Sequence, residues 1–320
     1  MEKSIKEHKQ ESIAASYELR PPFPKEIFID LNSTCNHTCV FCANPKLSVR
    51  RTMEHDFALR ILREAYENGS RKVALYASGE PFLNKHLAEY VSYSKKIGYE
   101  YVFITSNGAL ATPERAKAVL DAGLDSIKFS IHAGTRESYQ KIHGRDDFDT
   151  VIANIKWINE YRKTSKLPYR IYASMVYTNE AKHEEGLLKS ILLPYLDDWD
   201  PHTLTNQCGN MLENDQIGQI EPGNIRGRAK VAICWQPFKS FTVSPEGLMS
   251  GCVIDYQKEL VTADLTKTTL KEAWHNSVYT AWRERHLKRN LKGLICQNCI
   301  HNTKEPVTPL MPEFAQPFVS

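Results

Sequence analysis

The chain of 320 residues has no apolar run long enough to cross a bilayer. Its first twenty residues are polar and charged, without the apolar stretch a secretion signal needs. Charge of either sign is not in large excess, and the formal net charge is +3. That balance by itself argues neither for nor against nucleic acid; no nucleic-acid or membrane partner is expected. There is no internal repeat and no long low-complexity segment. Together these features lead to the expectation of a cytoplasmic protein. Apolar residues make up 42% of the chain, enough for one large core with room for a small appendage.

Cysteine is the residue type that stands out. Eight cysteines in a chain expected in the cytoplasm suit metal ligation or catalysis better than disulfides. Three of them, Cys35, Cys39 and Cys42, stand at CxxxCxxC spacing just after an apolar run over 27–31. A strand ends there, and the loop that follows brings three thiolates to one point. Three thiolates are one short of a closed tetrahedral zinc or iron–sulfur site. A cluster held in this way keeps one iron open to a small molecule, although the spacing alone also fits part of a zinc knuckle.

The pattern, with aromatic Phe41 just before the third cysteine, resembles the radical S-adenosylmethionine (SAM) superfamily. The resemblance implies a 4Fe–4S cluster whose open iron binds SAM. It also implies reductive cleavage of SAM to a 5′-deoxyadenosyl radical that takes a hydrogen atom from a substrate. An electron donor of the flavodoxin or ferredoxin kind is then required.

Beyond the cysteine loop, apolar periodicity and helix stops alternate. Helices are expected over 54–68, 87–97, 113–121, 148–163 and 182–192. Strands are expected over 72–77, 101–105, 125–131 and 170–177, with a sixth near 199–204. Six βα units imply a parallel sheet with helices outside, and sites at the C-terminal strand ends. The fold class is therefore α/β, and the resemblance narrows it to a partial (β/α)6 TIM barrel. The expected divisions are a lead-in over 1–26, with a helix over 4–15, the barrel over 27–205 and a linking segment over 206–233. An auxiliary domain over 234–302 and a proline-rich tail over 303–320 complete the chain.

The strand ends carry polar residues. Ser78-Gly79-Glu80-Pro81 follows the second strand and resembles the family's GGEP motif, with Ser in place of the first Gly. By that resemblance it meets the amino group of SAM. Ser106, Ser130 and Ser174 are further candidates for SAM contacts, and Phe41 for packing near the adenine; each also fits an ordinary strand-end or core residue. His132 and His143 are candidates for substrate contact, and Arg145 and Arg170 for a cation at the barrel mouth.

Cys234, Cys252, Cys296 and Cys299 form a second set. A hairpin over 240–253 follows Cys234, turns at Ser244-Pro245-Glu246-Gly247 and carries Cys252 near its end; a helix over 270–289 precedes the CxxC pair. Four thiolates complete a closed site, and ligand count alone leaves structural zinc open. The arrangement resembles the SPASM/twitch auxiliary domain, in its shorter form with one auxiliary 4Fe–4S cluster, as in 2-deoxy-scyllo-inosamine dehydrogenase-type enzymes. That resemblance implies oxidation of an alcohol on a small polar molecule such as a sugar, cyclitol or aminoglycoside. Cys208 belongs to neither set by spacing. It is a candidate hydrogen-atom donor for an epimerase, or a buried inert thiol. Peptide modification is the remaining alternative. The basic run over 282–289 fits a phosphate contact or a solvated face.

Overall fold

The computed structural model describes residues 17–220 and 233–319. Six strands run parallel: β1 (Glu26–Ile29), β2 (Lys72–Ala74), β3 (Tyr101–Ser106), β4 (Ser126–Ser130), β5 (Arg170–Ser174) and β7 (Asp198–Trp199). Ile27, Val73, Val102, Ile104, Ile127 and Ile171 are all buried on these strands. Such runs of β-branched residues suit a sheet covered on both faces. The crossovers carry the helices α1 (His55–Glu67), α2 (Leu87–Ile97), α3 (Pro113–Asp121), α4 (Arg136–His143), α5 (Phe148–Ser165) and α6 (Glu185–Leu192). The expected βα alternation is thus present. The sheet stays open, with β7 at one edge.

Two expected strands are each divided. The region over 170–177 continues from β5 into β6 (Val176–Tyr177), which leaves the main sheet. After β7, Pro201 supplies no amide hydrogen, and the chain resumes as β8 (His202–Thr203), paired only with β6. Helix α4 was not anticipated. Its N-cap is Thr135, which accepts from the Ser138 amide, and it stops at Gly144, whose φ is 69°.

The second cysteine segment does not pack as a detached unit. Its hairpin, β9 (Thr242–Val243) and β10 (Leu248–Ser250), joins the barrel sheet because β9 pairs in parallel with β1. A third strand, β11 (Val261–Asp264), extends the hairpin and forms the other sheet edge. The short helix α7 (Gln236–Lys239) precedes this hairpin. The single helix expected over 270–289 is two, α8 (Leu270–Trp274) and α9 (Ser277–Leu287). Asn276 breaks it by capping α9 through the Tyr279 amide. The CxxC pair lies on helix α10 (Ile295–His301).

Arg283 corrects the reading of the basic run. Its side chain is fully buried, stacks on Trp274 and Tyr279, and donates to the carbonyls of Pro237, Trp274 and Leu19. It ties α9 to the hairpin segment and to the chain entering β1. The C-terminal tail also has a fixed place. Leu310 and Gln316 donate to the carbonyls of Glu259 and Gln257, and Val319 to that of Lys46. The tail therefore straps the auxiliary segment to the stretch after the cysteine loop. The helix expected over 4–15 and much of the linking segment lie outside the described residues.

Candidate active site and cluster cysteines

The loop carrying Cys35, Cys39 and Cys42 leaves the C-terminal end of β1 and is held on every side. The Thr38 and Val40 amides donate to the carbonyls of His143 and Ile142 at the end of α4. Asn44 donates to the carbonyls of Ser33 and Ser78, and the Glu80 amide to Thr34. Gly79 is required by closeness. A Cβ there would meet the Asn32 carbonyl and lie 2.5 Å from that of Thr34. The Gly-Glu-Pro turn thus rests directly on the backbone that leads into Cys35.

Each of the three sulfurs faces hydrogen-bond donors. Cys35 Sγ has the His37 amide at 3.5 Å and Asn107 Nδ2 at 3.8 Å. Cys39 Sγ has His143 Nδ1 at 3.6 Å. Cys42 Sγ has the Asn44 amide at 3.4 Å and the Tyr256 hydroxyl at 3.7 Å. His143 Nε2 accepts from the His132 amide, so its proton sits on Nδ1 and points at Cys39. Burial pushes all three thiols up, Cys35 to about 11. Buried thiols ringed by donors are poor free acids but good ligands, since a bound cation supplies the missing charge.

The other predicted residues fall into two groups. Glu80 is buried, and its carboxylate accepts from the Ser106 hydroxyl and from the Asn107 and Phe82 amides; burial pushes it up to about 7. Ser78 donates to Asp30. Phe41 is buried edge-on to His132. Ser130 and Ser174 sit side by side at the ends of β4 and β5. All of these lie at the C-terminal end of the sheet, with the cysteine loop. His132 and His143, candidates for substrate contact, are instead engaged with main-chain amides, His132 Nδ1 accepting from Val176. Arg145 is 59% exposed and faces Asp147 at 3.8 Å, rather than lining the barrel mouth. Arg170 stands at the start of β5, the opposite end of the strand, near Asp197.

Cys208 requires the largest correction. It does not stand apart. Its Sγ is 4.0 Å from Cys252 Sγ, and it lines one small recess with Cys234, Cys252, Cys296 and Cys299. Spacing gave no hint of this, because the contact joins residues far apart in sequence.

Sequence reasoning also missed a recess between the two cysteine sets. Asp30 and Ser78 form one wall; Thr242, Glu246, Cys252, Asp255, Tyr256 and Lys258 line the rest. Burial pushes the Asp30 carboxyl up to about 7, opposed by the Ser78 hydrogen bonds and aided by the Glu246 charge. Glu246 pairs with Lys258, yet its second carboxylate oxygen is buried without a partner, as is the Thr242 hydroxyl. Tyr256 reaches Cys42 from this recess, and Cys252 belongs to the second set. The signal available in the sequence was an aspartate at the end of the first strand, five residues before Cys35.

A radical SAM superfamily model matches residues 29–189, half of the chain. The chain belongs to the radical SAM superfamily. A second model, SPASM, an iron–sulfur cluster-binding domain, matches residues 234–300. These matches carry the cofactors with them: SAM and 4Fe–4S clusters. Probable GTP 3′,8-cyclases of Saccharolobus solfataricus and Metallosphaera sedula are 37% and 34% identical over 133 and 135 residues. Those matches cover 41% of this chain and 42% of each relative. Among solved structures, BtrN in complex with AdoMet and 2-DOIA is similar with a TM-score of 0.56 at 19% identity, over 92% of this chain and 98% of that one. Streptococcus suis SuiB bound to S-adenosylmethionine has a TM-score of 0.65 at 15% identity, over 82% and 68%. Identities this low speak for the fold alone. No helix among the described residues is long and apolar enough to cross a membrane.

Proposed function

We propose that this radical SAM enzyme oxidises an alcohol on a small polar substrate held in the recess between Asp30 and Glu246. The observation that carries the reading is the position of that recess, which has Tyr256 of the first cysteine site and Cys252 of the second on its walls. Cys35, Cys39 and Cys42 would hold the first cluster, which with SAM would supply hydrogen-atom abstraction, and Cys234, Cys252, Cys296 and Cys299 would hold a second that would supply an electron acceptor.

Removing a hydrogen atom from a carbinol leaves a proton and an electron still to depart. Asp30 takes the hydroxyl proton. Its carboxyl titrates near neutrality, which is where a general base is most effective. Ser78 orients it by donating to one oxygen. Glu246 and Thr242 offer unpartnered acceptors to substrate hydroxyl or amino groups, and Lys258 fixes the Glu246 side chain. Glu80, at the predicted SAM segment, is preorganised by three donors and keeps the β2 and β3 strand ends together. An external electron donor of the flavodoxin or ferredoxin kind completes the cycle.

Epimerisation with Cys208 returning a hydrogen atom asks for a thiol on the substrate recess. Cys208 is not among the residues lining it, so oxidation is the better reading. The test is product mass after anaerobic incubation of reconstituted enzyme, SAM and reductant with pooled polar metabolites in deuterated water. A product lighter by two hydrogens supports oxidation. A product heavier by one deuterium refutes it in favour of epimerisation.

A further inference from the structure

The second cysteine site holds one thiol more than a closed cluster uses. Five cysteines line it, and four thiolates saturate a 4Fe–4S cluster. The extra one is not idle filling. Cys208 is buried, its Sγ is 4.0 Å from Cys252 Sγ, and it shares the lining of the recess with Cys299.

The main chain is bent to keep it there. Gln207 and Cys208 have φ of 46° and 61°, followed by Gly209 at 80°. Left-handed backbone at two consecutive residues with side chains costs about 1 kcal/mol or more each and persists only where the surroundings impose it. Here they do. Asn206 donates to the carbonyls of Asn298 and Cys299 and to the Asn302 side chain, and accepts from the Gly209 amide. The strained turn is thereby clamped onto α10, the helix that carries Cys296 and Cys299. A Cβ at Gly209 would lie 2.8 Å from that of Asn298.

We propose that Cys208 is a fifth ligand of the auxiliary centre, able to take the place of Cys252 on the cluster. The inference rests on the assignment of that centre to the second cysteine set. Exchange moves no electron: the incoming Cys208 thiol releases its proton, the departing Cys252 thiolate takes one up, and four thiolates remain bound. Cys252 is the partner for a geometric reason. It lines both the auxiliary site and the substrate recess, so its sulfur has somewhere to go when released. Cys234, Cys296 and Cys299 do not line the substrate recess.

Iron and sulfide counts on anaerobically reconstituted full-length protein test this. Wild type is expected to hold about eight irons per chain, two clusters of four. Cys208→Ala and Cys252→Ala are each expected to hold about eight, the double variant about four, and Cys234→Ala about four. Cys252→Val serves as a second non-ligating replacement, and the SAM-sensitive electron paramagnetic resonance signal of the first cluster reports that each variant is folded. A fall to about four irons in folded Cys252→Ala and Cys252→Val overturns the proposal, as does retention of eight in the double variant. Only four irons in the wild type would instead overturn the auxiliary centre itself.

Discussion

Replacing Gly79 with alanine perturbs a close backbone contact at the proposed site. The new methyl would fall on the Asn32 carbonyl, 2.5 Å from the Thr34 carbonyl and 2.8 Å from Asn32 Nδ2. Two of those three atoms are backbone, so no side-chain rotation relieves the clash. The turn must retreat by about 1 Å to restore ordinary contact. Overpacking of this kind costs about 1–3 kcal/mol. The retreat also strains the Glu80-to-Thr34 and Asn32-to-Glu80 hydrogen bonds, which couple the β2 turn to the backbone entering Cys35. A displacement of about 1 Å in a catalytic site is enough to lower a rate about 100-fold. The expected outcome for Gly79→Ala is a lower unfolding midpoint in urea and a loss of 5′-deoxyadenosine formation far larger than the loss of stability explains. Gly186→Ala is the control. It lies in α6 with nothing within 4 Å, so alanine there is expected to be neutral or to stabilise by about 0.5–1 kcal/mol. Wild-type stability and wild-type SAM cleavage in Gly79→Ala would refute the reasoning.

Other outcomes follow from the same geometry. Asp30→Asn is expected to leave SAM cleavage near wild type while lowering substrate oxidation about 100-fold or more, read by the ratio of product to 5′-deoxyadenosine. The Asp30 and Glu80 carboxyls are raised from ordinary values to about 7, so the folded cluster-free chain keeps their protons longer than the unfolded one. Their contribution is fully present below about pH 4 and is lost as pH rises through about 7, at up to about 1.4 kcal/mol per pH unit for each group. The thermal midpoint of the cluster-free protein should therefore be lower at pH 8 than at pH 5.5, with the difference reduced in Asp30→Asn. His143→Phe removes the N–H aimed at Cys39; a hydrogen bond of about 1 kcal/mol corresponds to roughly 40 mV for one electron, so the first cluster's midpoint should become more negative by about that amount. Arg283→Ala exposes three carbonyls and two aromatic faces to a cavity and is expected to cost about 3–5 kcal/mol by urea denaturation, whereas Arg145→Ala at the surface should leave turnover within a few-fold of wild type.

The sequence by itself determined the chemistry of the two cysteine sets and the βα alternation of the sheet. Those signals are local. Three thiols within eight residues share one loop wherever the fold puts it, and the Gly-Glu-Pro turn follows its strand directly. The βα alternation is carried by period and by helix stops, which read over short windows. Tertiary structure decided what depended on distant partners. Cys208 meets Cys252 across 44 positions, Tyr256 meets Cys42 across 214, and the Glu246 charge reaches Asp30 only because β9 pairs with β1. Arg283 lost its apparent solvated face for the same reason. A charged residue on a helix with no apolar stripe reads as exposed, and only the packing of Trp274 and Tyr279 around its guanidinium shows otherwise. Spacing fixes which groups can share a loop; burial and pairing, which sum over the whole chain, fix which of them share a site.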